Sequence, residues 1–124
     1  MEPLILQATE DTPEVILNPE ENIFRIARIS VPEDAYEFYR PIIEWLREYA
    51  KNPLPETVFE FDLEYVNTAS NKQLMQVMII LDQIAQKYPV KVKWYYEAID
   101  EDMLNLGQRY QKLAKNLDFE FLEI

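Results

Sequence analysis

The sequence predicts an α/β protein, a two-layer sandwich whose mixed β-sheet carries its helices mainly on one face. Three observations predict it. Stretches in which apolar and polar residues alternate are separated by stretches with three- and four-residue apolar steps, in the order β-β-β-α-β-α-β-α-β. Strands joined through a single helix pair in parallel by right-handed crossovers. The strands also show one apolar and one polar face, whereas a sheet covered on both sides would read as continuous apolar runs. At 124 residues the chain is most simply one domain, 1–124.

LILQATE (4–10) and EVILN (14–18) are short strands on either side of Thr12-Pro13. NPEEN (18–22) is a turn, with φ preset by Pro19 and an Asx-turn available to Asn18. IFRIARI (23–29) returns as a third strand and completes a hairpin. After Pro32, the residues Ala35, Phe38, Tyr39, Ile42, Leu46 and Tyr49 form one apolar helical stripe. Pro41 falls inside it, removes a backbone hydrogen bond to residue 37 and is expected to kink the helix. NPLP (52–55) stops that helix. In TVFEFDLEYV (57–66), Phe59, Phe61, Leu63 and Tyr65 point one way and Glu60, Asp62 and Glu64 the other.

A second helix is expected from about Ser70 to Tyr88, with Leu74, Val77, Met78, Leu81, Ile84, Ala85 and Tyr88 facing inward. VKVKWYYEA (90–98) alternates again, Val90, Val92, Trp94 and Tyr96 against Lys91, Lys93 and Tyr95. A third helix over about 100–116 carries Met103, Leu104, Leu106, Tyr110, Leu113 and Ala114, and FEFLEI (119–124) closes the chain as a strand.

Composition removes several classes of function. There is no cysteine, so disulfides and thiolate chemistry are excluded. Without histidine the chain lacks the commonest general base, the commonest zinc ligand and the usual partner of a catalytic serine. One glycine, Gly107, cannot build a nucleotide-cradling loop, and no cofactor motif is present. A net charge of −11 argues against nucleic acid and anionic membranes as partners. No apolar run approaches the ~18 residues of a spanning helix, so no membrane insertion is expected. MEPLILQATEDT has no basic n-region, so no signal peptide is expected and the predicted location is the cytoplasm.

Two places invite chemistry. The row Glu60, Asp62, Glu64 suggests a small metal-dependent enzyme, but alternate strand residues lie roughly 6.6 Å apart. That is too far for neighbours to share a small cation without further ligands. The plainer expectation is a solvated face on which Lys91 and Lys93 pair with the acids if strand 90–98 lies alongside. Tyr95 falls on that polar face too, and Asp82 is expected to border solvent.

The other place is NTAS, in which Asn67, Thr68 and Ser70 offer three caps for one helix start. Ser70 with Gln73 makes an S-x-x-Q capping box. That assignment leaves Thr68 in the loop at the carboxyl end of a strand, where α/β folds usually place function. Free N–H groups and the positive dipole end of the next helix favour an anion there. A phosphate on Thr68 would be held without an arginine, with Lys72 one turn away. The alternative is that Thr68 is a spare cap, since Ser and Thr are common before helices.

ARISVPEDAYEFYRPIIEWLREY (27–49) and FDLEYVNTASNKQLMQVMIILDQI (61–84) resemble the SiaC family of bacterial regulatory phosphoproteins, over essentially the whole chain. The most specific parts are the PE…FY.PI..WL..Y helix, which gives Pro41 a family context, and the Y.NTAS.K.L junction. The junction is also similar to that of STAS-type anti-sigma-factor antagonists, whose Asp-Ser-Ser-Gly turn carries a phosphorylated hydroxyl, and it implies a STAS-like fold. Asn67 then stands at the Asp, Thr68 at the acceptor, Ala69 at the second Ser and Ser70 at the Gly. Asn removes a charge beside the hydroxyl, and loss of the Gly makes the turn less permissive.

The resemblance implies a single SiaC-like, non-enzymatic regulatory domain. A protein kinase would phosphorylate Thr68 and a PP2C-type phosphatase would reverse it. The unphosphorylated form would bind and activate a diguanylate cyclase, in cyclic-di-GMP signalling and biofilm formation. Asn67, Ala69 and Ser70 would shape the turn, and Asn71 and Lys72 would belong to the partner surface. The alternative is a STAS-type antagonist that binds an anti-sigma factor or kinase.

Overall fold

Six strands form one sheet in sequential order, β1-β2-β3-β4-β5-β6, in a computed structural model that describes all 124 residues. The strands are β1 (Leu4–Leu6), β2 (Glu14–Asn18), β3 (Ile23–Ser30), β4 (Thr57–Val66), β5 (Val90–Tyr96) and β6 (Asp118–Glu123). The helices are α1 (Ala35–Tyr49), α2 (Thr68–Ala85) and α3 (Glu101–Leu113), so the element order is the predicted one. β1, β2 and β3 pair antiparallel, and β3 through β6 pair parallel. This order explains the two layers. When each parallel strand is added at the same edge by a right-handed crossover, every crossover helix lands on the same face.

The buried face holds a cluster of 26 residues. The sheet supplies Phe24, Phe59, Phe61 and Trp94 to it, α1 Tyr39, Ile42 and Leu46, and α2 Leu74, Val77, Met78 and Leu81. α1 runs unbroken through Pro41, which lies on its exposed side. At the ends of the stripes the expectations fail. α2 stops at Ala85, leaving Tyr88 42% exposed, and Leu113 closes α3 at the same exposure. Asp82 is half-buried and accepts hydrogen bonds from the Asn116 backbone N–H at 2.8 Å and side chain at 3.3 Å, tying α2 to the turn between α3 and β6.

Two corrections concern the polar face. Arg25 sits amid the acidic row, 3.1 Å from Glu14, 3.2 Å from Asp62 and 3.9 Å from Glu60. Lys93 stands beside Glu60 in register, yet Lys91 pairs with Glu120 at 3.7 Å and Lys93 makes no ion pair. The planar guanidinium fork of Arg25 can serve several carboxylates at once, which a lysine cannot. A guanidinium already occupies the space a metal would need, and no group of three or more acidic side chains is placed to hold a cation. Tyr95 donates to Glu60 at 2.8 Å on the same face. Arg25→Gln is expected to cost about 1 kcal/mol, because Glu14, Glu60 and Asp62 then face one another uncompensated; a urea midpoint measured at low and high salt checks it.

The second correction is Tyr65, which the alternation assigns to the core but which is 59% exposed. β3 pairs Arg28 with Leu63 and then Ile29 with Tyr65, so Glu64 is an extra residue bulged out of the ladder. A bulge shifts the side-chain alternation by one residue. Val66 therefore packs on the core, and Tyr65 turns outward. Arg28, opposite the bulge, takes a positive φ of 85° and meets Glu64 at 3.7 Å.

Candidate functional site

The carboxyl edge of the parallel strands gathers the start of every helix. Asp34 caps α1, Asn67 caps α2 and Asp100 caps α3, each side chain accepting from the N–H three residues on, at 3.1, 2.8 and 3.0 Å. The first turns of α1 and α3 add carboxylates of their own, Glu37 in one and Glu101 and Asp102 in the other. α2 has a neutral cap and no acid in its first turn, so the positive end of its dipole has no carboxylate of its own.

The cap of α2 is therefore Asn67 and not Ser70, and Thr68 is the first helical residue instead of a loop residue. Tertiary contacts decide this. The Asn67 N–H donates to the Ser30 carbonyl at 3.1 Å, which docks the turn onto the end of β3. Ser70 is drawn inside and fully buried, where Ser30 Oγ donates to Ser70 Oγ at 2.9 Å. Since Ser30 has one hydroxyl proton, the Tyr39 hydroxyl 2.6 Å away must donate to it. A chain of buried hydroxyls thus joins α1, β3 and α2 directly beneath the junction. Asn67→Ala should cost about 1 kcal/mol, read as a lower denaturation midpoint with the fold retained.

Burial is the largest cause that pushes the Tyr39 phenol up to about 12. Tyr110 is raised further, again by burial first. Both groups have folded-state values above the unfolded one, so their contribution to stability is complete below about pH 10 and declines as pH rises from there through 12. A denaturant midpoint that is flat from pH 7 to 9 and falls steeply above 10 is the expected result.

Thr68 itself is exposed, and its hydroxyl makes no hydrogen bond within the protein. The backbone N–H groups of Thr68 and Ala69 have no acceptor either, since the first satisfied amides of α2 are those of Ser70 and Asn71. Thr68 stands on a ridge between two grooves. One, of about 270 Å³, runs between α2 and α3 and is lined by Tyr65, Asn71, Asp100, Asp102 and Arg109 among others. The second lies between α1 and α2 beside Asp34, Tyr36, Ala69, Lys72 and Gln73. Of the residues expected around Thr68, Ala69 and Lys72 are exposed, while Asn71 is half-buried and accepts from the Tyr110 hydroxyl at 2.5 Å.

Three residues at this site escape sequence reasoning. Tyr36, 62% exposed, leaves one faint signal, an aromatic lying off the α1 stripe. Tyr65 was hidden by the bulge. Arg109 carries no local signal, because its place depends on how α3 lies against α2. No helix of the protein is long and apolar enough to cross a membrane.

The family profile described as SiaC family regulatory phosphoprotein matches residues 6–124. An uncharacterised protein of Pseudomonas aeruginosa (strain UCBPP-PA14) is 24% identical over 113 residues, 90% of either chain. Among solved structures, apo-SiaC from Pseudomonas aeruginosa is similar with a TM-score of 0.88 at 22% identity, over 98% of this chain and 99% of that one. SiaC in a complex of the diguanylate cyclase SiaD with its activator SiaC, from the same organism, is similar with a TM-score of 0.90 at 22% identity, over 98% and 99% of the two chains.

Proposed function

The chain belongs to the SiaC family of regulatory phosphoproteins, and on that premise we propose that it is the switch component of a partner-switching module, phosphorylated reversibly on Thr68. A protein kinase and a PP2C-type phosphatase set its state in the cytoplasm. The unphosphorylated form binds and activates a diguanylate cyclase, as SiaC does SiaD, and so feeds cyclic-di-GMP signalling. The chain works by binding and catalyses no reaction itself.

The observation that carries this reading is the setting of Thr68. Its hydroxyl is exposed and unbonded, at the start of the one helix without a carboxylate in its first turn. Exposed Tyr36 and Tyr65 flank it, one beside each groove. Tyrosines are enriched at protein interfaces because they bring large area at little entropic cost. Lys72 belongs to this rim, and Asn71 supports it from within. A modified hydroxyl here places its charge in the centre of a contact surface.

Two measurements test the reading. The protein isolated from its own cells should carry a phosphatase-removable phosphate on the peptide containing Thr68. The unmodified form should raise cyclic-di-GMP synthesis by the cyclase, and the phosphorylated form should not. A phosphate mapped to another residue, or equal activation by both forms, defeats it. Tyr65→Ala is expected to weaken cyclase binding by about fivefold to tenfold, read by calorimetry, with the fold unchanged.

A further inference from the structure

We propose that the groove between α2 and α3 is a receptor for the chain's own modification: a phosphate on Thr68 is received there by Arg109 and Asn71, with Tyr110 as the positioning residue that aims the Asn71 amide. The inference rests on Thr68 being the modified residue and adds where its phosphate goes.

Arg109 is the one cation lining the groove, and like Arg47 it makes no ion pair, whereas Arg25, Arg28 and Arg40 each hold carboxylates. It projects from α3 next to Tyr110, and its charge is felt at the Tyr110 phenol. Asn71 lies three residues after Thr68, hence on the same side of α2. The Tyr110 hydroxyl donates to Asn71 Oδ1, which occupies the acceptor end of that amide. The Asn71 NH₂ group is left as the free end, a donor without a partner in the protein. Burial keeps the phenol protonated across the physiological range, so this orientation does not switch with pH. The unpaired amides of Thr68 and Ala69 complete a set of donors around the position a phosphate would take.

The acids on the rim show why the arginine is needed. Glu64, Asp100 and Asp102 line the same groove, and Asp100 is engaged with the Met103 N–H. A phosphate carries about −1.5 to −2 charge near neutrality. Among three carboxylates it would be repelled unless a guanidinium met it, and a phosphate–guanidinium contact can be bidentate. Lys72 is the competing cation, but it lines the opposite groove, with Glu33 and Asp34. Capture by Arg109 joins the start of α2 to the body of α3, so phosphorylation reshapes the surface between Tyr65 and α3 as well as charging it.

The test uses full-length protein with phosphothreonine incorporated at position 68 during translation. The result is then independent of whether a cellular kinase uses Thr68, and failure of the inference is distinguishable from failure of the functional reading. A ³¹P NMR titration follows the second ionisation of the phosphate. A nearby cation favours the dianion and lowers the midpoint, so Arg109→Gln should raise it by about one pH unit. Tyr110→Phe, which frees the Asn71 amide to turn over, should raise it by less, and Lys72→Gln should leave it unchanged. A titration unaltered in Arg109→Gln overturns the proposal. So does a midpoint that moves in Lys72→Gln alone, which would place the phosphate in the α1–α2 groove. Tyr110→Phe that moves the midpoint as far as Arg109→Gln would mean the groove has collapsed, and Asn71→Ala, which leaves Tyr110 in place, then decides: no upward shift in that variant removes Asn71 from the site.

Discussion

Thr68→Asp is expected to weaken binding of the diguanylate cyclase by roughly thirtyfold, about 2 kcal/mol, while Thr68→Ala stays within about twofold of the unmodified protein. The two substitutions separate the hydroxyl from the charge. The Thr68 hydroxyl makes no hydrogen bond within the protein, so Ala removes nothing that holds the fold. The cap belongs to Asn67 and the buried hydroxyl chain to Ser70, and both are untouched. Asp adds a carboxylate on the ridge between the grooves, near Glu64, Asp100 and Asp102 on one side and Glu33 and Asp34 on the other. At a free surface water screens this charge. Under a bound partner it must be desolvated or paired, and an unpaired like charge in an interface costs several kcal/mol. Asp is shorter than a phosphothreonine and singly charged, so true phosphorylation should act more strongly. Equal affinity of the two variants would show that Thr68 lies outside the contact surface, and loss of binding by both would show that the hydroxyl itself is recognised.

How much of this was legible follows from the range of the forces involved. The order of elements could be read because each strand and helix carries its own periodicity, and the one-sided helical layer follows from the same observation. Capping is not decided locally. SxxQ is a sound signature for Ser70, yet Ser30, 40 residues earlier, draws that side chain into the core and leaves Asn67 to cap. The exposure of Tyr65 turned on one bulged residue, Glu64, which period-two reasoning does not contain. On the polar face the acids are legible but their partner is not, because Arg25 reaches Glu60 and Asp62 across the parallel pairing of β3 with β4. The same division holds at the candidate site. Thr68 could be picked out from its four-residue junction, whereas the Tyr110–Asn71 bond spans 39 residues and exists only after α3 packs beside α2.

Gly107→Ala should lower stability by about 2 kcal/mol, a fall of roughly 8 °C in Tm for a domain of this size. Helix propensity alone predicts the opposite, since Ala is favoured over Gly in a helix interior by about 1 kcal/mol. Packing decides the sign. A Cβ at position 107 would lie 2.5 Å from Trp94 Nε1, 2.6 Å from Cδ1 and 2.8 Å from Cε2, far inside ordinary contact. The indole has nowhere to go. It is fully buried, its Nε1 donates to the Met103 carbonyl at 2.9 Å, and its ring lies 5.6 Å from Phe61 and 5.5 Å from Tyr110. α3 must therefore lift from the sheet, straining the Trp94–Met103 bond and carrying Tyr110 and Arg109 away from Asn71. Trp94→Phe introduces a smaller ring at the point of contact, so the added methyl should cost at least about 1 kcal/mol less in that background. A double-mutant cycle by urea denaturation measures the coupling. A stabilised Gly107→Ala would mean that α3 can lift from Trp94 at little cost. The close approach would then be no reason for the chain's single glycine to stand where it does.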